Sequence, residues 1–358
     1  SANTWTMLIT VFALPLTSAL LLQPQLQPQL HVSTLVCMCR SSPVCLAAAA
    51  QLETPPPPTQ PPPLPPSQER TVQLIDKLEA VDFQHPVDRQ ATAALRALVP
   101  VEWAVRQAFK ALNVDDASFL DNIAKGVLVG PTQLPALHAD LIEACRLLNL
   151  EVAPELYVRQ DPRPNAYTMA VQGQRPFVVV TTALLDLLEP REVQAVIAHE
   201  LGHLKCEHGL FLLLSNLLTS VVLGGTVLGA ALQSRALDWQ RAAELSCDRA
   251  ALLVVQDTRV AQSVIMKLAG GSTDARYKDQ LNVDAFVAQA AAYDKVAAAS
   301  RTGRMVQRQQ LAGATHPLPI LRARELERWA ASPEYAQLLA RGTPRRVVPS
   351  EPTPKVLD

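Results

Sequence analysis

The sequence predicts an α+β fold, mainly helical, in which a small antiparallel sheet lies beside two helices with polar faces. Three observations predict it. Glu155–Arg159, Ala166–Val171 and Phe177–Thr181 are short β-branched and aromatic runs, separated by turn-forming Asp161–Pro164 and Gln172–Arg175. Elsewhere apolar residues recur at spacings of three and four, as in Ala91–Leu98, Val101–Leu112 and Leu134–Leu148. Two helix-forming stretches, Val196–Glu207 and Arg241–Leu253, each carry ionisable residues four apart. That spacing puts them on one face of a helix.

Val196–Glu207 reads VIAHELGHLKCE and organises the rest. His199 and His203 can reach one metal ion from a single helix face. Glu200 lies about 100° round the axis, beside that ion, where a carboxylate can take a proton from metal-bound water. H-E-x-x-H on a helix is the signature of zinc peptidases, with the glutamate as general base. A catalytic zinc needs three protein ligands and one open position. A third ligand at Gly209 is excluded by residue type. The better candidate lies in RAAELSCDRAALL, where Glu244 supplies the ligand. Asp248, one turn on, accepts the far N–H of a zinc-bound histidine and fixes its tautomer. The competing reading of this second stretch is an ordinary charged, solvated helix. Cys206 and Cys247 neighbour these residues but point elsewhere on their helices, so they read as small buried apolar groups.

HELGH, then ELSCD, then Thr315-His316-Pro317 resembles the HtpX/CAAX-prenyl-protease family of zinc metallopeptidases, of the gluzincin type, and so implies a zincin-like catalytic domain. FQHPVDRQA (83–91), residues 156–188, AAELSCDRAALLVVQD (242–257), VIMKLAGG (264–271), QLNVDAF (280–286) and THPLPILRARE (315–325) resemble its cyanobacterial and plastid branch more closely. The resemblance covers about residues 70–340. It implies that His316 stabilises the oxyanion and that Arg322 orients the site. It also implies that Asn165, Ala166 and Tyr167 form an edge strand on the cleft rim, able to pair with an extended substrate. A turn residue before proline is the plainer reading of His316, and a structural strand that of 165–167.

The 358-residue chain carries a formal net charge of −1 and has no basic run, which argues against a nucleic-acid partner. Its six cysteines form no disulfide framework, in keeping with a reducing compartment. Residues 1–52 lack Asp and Glu and are rich in hydroxyl residues, as in a targeting segment. A secretory signal competes with this, but its usual basic start is missing. The family resemblance favours a plastid transit peptide, and with it a plastid protein bound to membranes or plastoglobules. Residues 53–69 are a proline-rich linker. Residues 70–340 are the peptidase domain, with a helical part at 70–150 and a catalytic part at 151–340. Residues 341–358, charged and proline-rich, read as a disordered tail. His85 and His138 read as structural.

Pro190 opens the H-E-x-x-H helix, and Thr182–Leu188, Val260–Leu268, Asp284–Ala299 and Leu318–Leu339 read as further helices. Gly209–Ser234 has no charge across 26 residues. Since Glu244 must return to the same metal, this run reads as a helical hairpin turning near Gly224-Gly225. Its apolar tip meets a lipid surface, or else packs in the core.

The resulting expectation is a zinc-dependent endopeptidase with one Zn²⁺ per chain and a protein or peptide substrate. The metal lowers the pKa of its water, and Glu200 moves the proton to the leaving amine. An aminopeptidase would need an anchor for the substrate's amine, and no motif supplies one. The alternative from another class is a non-catalytic, metal-containing scaffold or lipid-droplet (plastoglobule) coat protein.

Overall fold

The computed structural model describes residues 70–97, 121–169, 176–216, 226–312 and 316–347. All of them lie in one compact unit, Pro65–Asp358. The targeting segment, the proline-rich linker, the expected helix Val101–Leu112 and the turn at Gly224-Gly225 fall outside the described residues.

In chain order the elements begin with β1 (Arg70–Leu74), α1 (Ala80–Phe83), α2 (Pro86–Arg96), β2 (Gly126–Leu128) and α3 (Pro135–Leu147). Then come β3 (Glu155–Arg159), β4 (Ala166–Met169), β5 (Phe177–Thr181), α4 (Thr182–Leu187), α5 (Pro190–Lys205) and α6 (His208–Asn216). The remainder is α7 (Val227–Val255), α8 (Thr258–Gly270), α9 (Val283–Ala299), α10 (Arg301–Ala312), α11 (Pro319–Ala330), α12 (Pro333–Ala340) and β6 (Thr343–Val347). The fold is α+β and mainly helical.

The four-stranded sheet runs β2-β3-β5-β4. The β4–β5 pairing is antiparallel, as expected, and β2–β3 is antiparallel too, but β3–β5 is parallel, with Leu156 opposite Val178. The reason is topological. β5 inserts between β3 and β4, so it runs with the first and against the second. Every residue of β5 is buried, which suits its unbroken FVVVT sequence. On one face Val178 and Val180 join the main core; on the other, Tyr157, Phe177 and Val179 form a separate cluster. β4 is left at the sheet edge, against α5.

α5 starts with a capping box between Glu189 and Glu192, and Pro190 opens its first turn. The Glu192 carboxylate also accepts from Ser263 Oγ at 2.6 Å and Lys267 Nζ at 2.7 Å, so the start of α5 is tied to α8. α7 begins at Thr226, whose side chain accepts from the Gly229 N–H, and ends at Gln256 in a left-handed conformation. α5 and α7 press together at Gly202, where a Cβ would come within 2.9 Å of Ala250 Cβ and 3.1 Å of Cys247 Cα. α7 extends well beyond the Arg241–Leu253 stretch read as helix-forming from sequence, chiefly at its start. The expected Leu318–Leu339 helix is two, α11 and α12, separated at Ala331 and Ser332.

Three strands had no counterpart in the sequence reading: β1, β2 and β6. Thr343–Val347 falls in the stretch read as a disordered tail, and this is a correction. These residues pair antiparallel with β1, with Arg70 opposite Val347, and Arg345 forks onto Glu143 at 2.9 and 3.3 Å. Two arginines that looked like a solvated tail are held by a strand partner and a carboxylate. Arg70 in turn donates to the Val255 carbonyl at 2.8 Å and to Gln194 Oε1 at 2.6 Å. The paired strands are thus fastened to both α5 and α7.

Candidate metal centre and active site

The i, i+4 spacing on α5 turns the His199 and His203 imidazoles towards α7. His199 Nε2 lies 3.5 Å from Glu244 Oε2, and His203 Nε2 lies 3.6 Å from Glu244 Oε1. Each oxygen of one carboxylate therefore faces one imidazole. The spacing fits a metal, since a tetrahedral ion with bonds of about 2.1 Å holds neighbouring ligand atoms about 3.4 Å apart. His199, His203 and Cys247 also bring one donor atom each within 4.8 Å of one another. Burial raises the Cys247 thiol well above its usual range, and its Sγ lies 3.6 Å from His208 Nδ1. Cys206 is likewise fully buried and held as a thiol. The donor set that fits zinc is two imidazoles and the Glu244 carboxylate, with room for water.

The electrostatics agree with that assignment. Burial works against charge on Glu244, but hydrogen bonds from His199 and His316 hold its carboxyl well below the usual range. Burial also disfavours a charged His199, yet Asp248 and Glu244 together push the imidazole up to about 10. Burial, helped by the neighbouring His208, His199 and His316, takes His203 down to about 3 against the pull of Glu244. One carboxylate, Glu244, thus lies where a cation belongs, beside an imidazole with a free lone pair, while Asp248 backs His199 from the far side of its ring. Glu200 is 7 % exposed, and burial pushes its carboxyl up to about 7.

Asp248 Oδ1 lies 3.2 Å from His199 Nδ1, and Arg322 on α11 donates to both Asp248 oxygens at 2.9 and 2.6 Å. His316 Nδ1 is 3.0 Å from Glu244 Oε2, with a side chain 60 % exposed. A cavity of about 160 Å³ joins these residues to Asn165 and Ala166 on one side and to Leu184, Val264 and Leu268 on another. Tyr167 is the exception among the expected rim residues. Its side chain packs on the Tyr157–Phe177–Val179 cluster, on the other face of the sheet. Alternation along β4 puts Ala166 and Tyr167 on opposite sides.

Two residues near the centre drew no role from sequence. His208 Nδ1 lies 3.1 Å from His203 Nδ1, and His208 Nε2 lies 3.1 Å from Asp88 Oδ2. His85 is structural, its Nδ1 accepting from the Val87 N–H at the start of α2.

The sequence matches the profile of peptidase family M48 over residues 131–330. It is 48% identical over 279 residues to the plastoglobule-localized metallopeptidase 48, chloroplastic, of Arabidopsis thaliana, an alignment covering 77% of this chain and 80% of that one. A protease HtpX homolog 2 of Methanosarcina mazei is 33% identical over 94 residues, covering 26% of this chain and 32% of that one. Among solved structures, Ste24p of S. mikatae matches with a TM-score of 0.32 at 15% identity, over 66% of this chain and 63% of that one. That last likeness is too slight to add to the architecture above. M48 metallopeptidases are zinc-dependent, in keeping with the imidazole–carboxylate donor set. With its M48 match spanning more than half its length, and a relative aligned across most of both sequences, the chain belongs to peptidase family M48 and its metal is zinc.

Proposed function

We propose that the protein is a zinc metalloendopeptidase in which His199, His203 and Glu244 hold the metal. Zinc, when bound, supplies a Lewis acid that activates water and polarises the scissile carbonyl. Glu200 takes the water's proton and delivers it to the leaving amine. A carboxyl raised to about 7 by burial can both accept and return a proton near neutrality. Asp248, gripped by Arg322, orients His199. His316, at the open side of the cleft, donates to the oxyanion that develops on the carbonyl. The exposed edge of β4 offers backbone groups to an extended peptide, next to Asn165 and Ala166 in the cavity wall.

The observation that carries this reading is the convergence of two imidazoles on the Glu244 carboxylate with Glu200 buried beside them. Glu200→Gln tests it. The variant should keep its zinc and lose cleavage of an unfolded protein substrate. Cleavage at the wild-type rate would overturn the proposed mechanism and favour a scaffold or coat role.

Location is part of the same proposal. We infer a plastid protein, supported by the acid-free residues 1–52 and by the chloroplastic, plastoglobule-localized Arabidopsis relative. Residues 1–66 fused to a reporter should direct it to plastids. Among the described residues no helix is long and apolar enough to cross a membrane. We assign lipid contact to the uncharged stretch between α6 and α7, next to Val227, which is 90 % exposed. Charged substitutions at Leu223 and Leu228 should release a folded, zinc-loaded protein from the membrane fraction; unfolding would mean a core hairpin instead.

A further inference from the structure

Behind the metal centre runs a chain of buried polar groups that the mechanism does not use. α5 ends at Lys205, and Glu207 adopts a left-handed backbone with φ 58°. That bend starts α6 and brings the His208 ring edge-on to His203, with centroids 5.1 Å apart. His208 is 4 % exposed and Asp88 is fully buried. Beyond His208, Asp88 Oδ2 accepts from Ser246 Oγ at 2.6 Å, while its Oδ1 accepts from Trp239 Nε1 at 2.9 Å and Thr92 Oγ1 at 3.1 Å.

We propose that His208 and Asp88 are positioning residues, a relay that holds His203 in the tautomer whose Nε2 is free for the metal. The proposal rests on the reading of His203 as a ligand. Its logic is the polarity of the groups. A carboxylate only accepts, and the indole of Trp239 only donates. With Asp88 accepting, His208 carries its proton on Nε2 and offers a lone pair at Nδ1. That lone pair accepts from His203 Nδ1–H, which leaves His203 Nε2 unprotonated. His199 is oriented directly by a carboxylate, Asp248, whereas His203 is oriented through an intervening imidazole. The two metal-facing histidines are therefore fixed from α7 and from α2 respectively.

Asp88→Asn reverses the logic with almost no change in shape. The Trp239 N–H keeps the amide oxygen on its own side, so the new NH₂ faces Ser246 and His208. His208 must then accept at Nε2 and donate from Nδ1, which meets the Nδ1–H of His203. The metal-binding tautomer of His203 loses its partner.

The experiment measures zinc affinity by competition with a chromophoric chelator for the full chain and for three variants. Asp88→Asn and His208→Leu should bind zinc about 10–100-fold more weakly, the usual cost of removing a group that orients a ligand. His208→Gln, whose amide oxygen accepts and whose amide N–H donates, should stay close to wild type. Equal affinity in all four proteins overturns the relay, and so do equal losses in His208→Gln and His208→Leu, which would mean packing alone. Failure of the wild type to bind zinc would instead refute the metal site itself. Nitrogen-15 NMR of zinc-loaded wild type needs no variant to fold. It should find protons on His203 Nδ1 and His208 Nε2, and a proton on His208 Nδ1 would overturn the proposal.

Discussion

Arg322 closes both arms of its guanidinium fork on the Asp248 carboxylate, whose Oδ1 faces His199 Nδ1 at the same time. α11 therefore sets the orientation of a side chain on α5 through one on α7. Arg322→Lys keeps the charge but cannot form the fork. Zinc affinity should fall about 10–100-fold, as for other changes behind a ligand. Arg322→Ala removes the guanidinium from a buried carboxylate, leaving it only His199, and should cost about 3–5 kcal/mol, read as a lower Tm. Unchanged zinc affinity in Arg322→Lys would show that the fork serves only stability.

His316 lies at the open side of the centre, its Nδ1 3.0 Å from Glu244 Oε2. In its proposed role as oxyanion donor it acts in the transition state. His316→Ala should lower kcat by about 10²–10³-fold with little change in zinc content. Loss of zinc along with activity would show that it holds Glu244 in place instead.

Gly202 precedes His203 and faces α7 at closest approach. A helix-interior alanine is intrinsically better than glycine by about 1 kcal/mol, so isolated helix propensity favours Gly202→Ala. The neighbours decide otherwise. The new Cβ would meet Ala250 Cβ at 2.9 Å and Cys247 Cα at 3.1 Å, the latter being backbone that cannot swing aside. Overpacking of this kind costs about 1–3 kcal/mol. The variant should melt below wild type and bind zinc more weakly, since α5 must shift with His203. A higher Tm would show that the helices separate freely.

Asp140 on α3 is pushed up to about 6 by burial, with Arg70 opposing. Its folded pKa lies above its ordinary value of 3.8, so between these values the folded state binds more protons than the unfolded state. Stability therefore falls as pH rises through this window. Asp140→Asn should remove the loss. It should match wild type below about pH 4 and exceed it by about 1–2 kcal/mol above pH 6, the shift being discounted for partial exposure. Urea melts at pH 4 and pH 7 check the sign.

Much of the centre was legible because helix geometry is local. Four-residue spacing placed His199 with His203 and Glu244 with Asp248 before any tertiary contact was known. β5 was legible with the same bounds because FVVVT has no polar break. Tyr167 shows the limit of reading a strand as one unit, since alternation turns it away from the cleft. His208 was hidden because its position depends on Glu207, a non-glycine residue in a left-handed conformation that carries no turn signal. Asp88 was hidden because its partners come from α6 and α7, far along the chain. The strand β6 was hidden for a similar reason: its pairing with β1 leaves no periodicity in TPRRV.

The β1–β6 pair also sets a condition on synthesis. Its two strands are the first and last elements among the described residues, so they cannot meet until Thr343–Val347 has left the ribosome. Until then β1 is an open edge, and Arg345 has not reached Glu143. A message cut short before Thr343 would yield a chain with every metal-facing residue present but its first strand unpartnered. Such an edge is what invites aggregation and proteolysis. The closing strand thus distinguishes a chain whose first strand is paired from one whose edge is open, through residues outside the proposed metal centre.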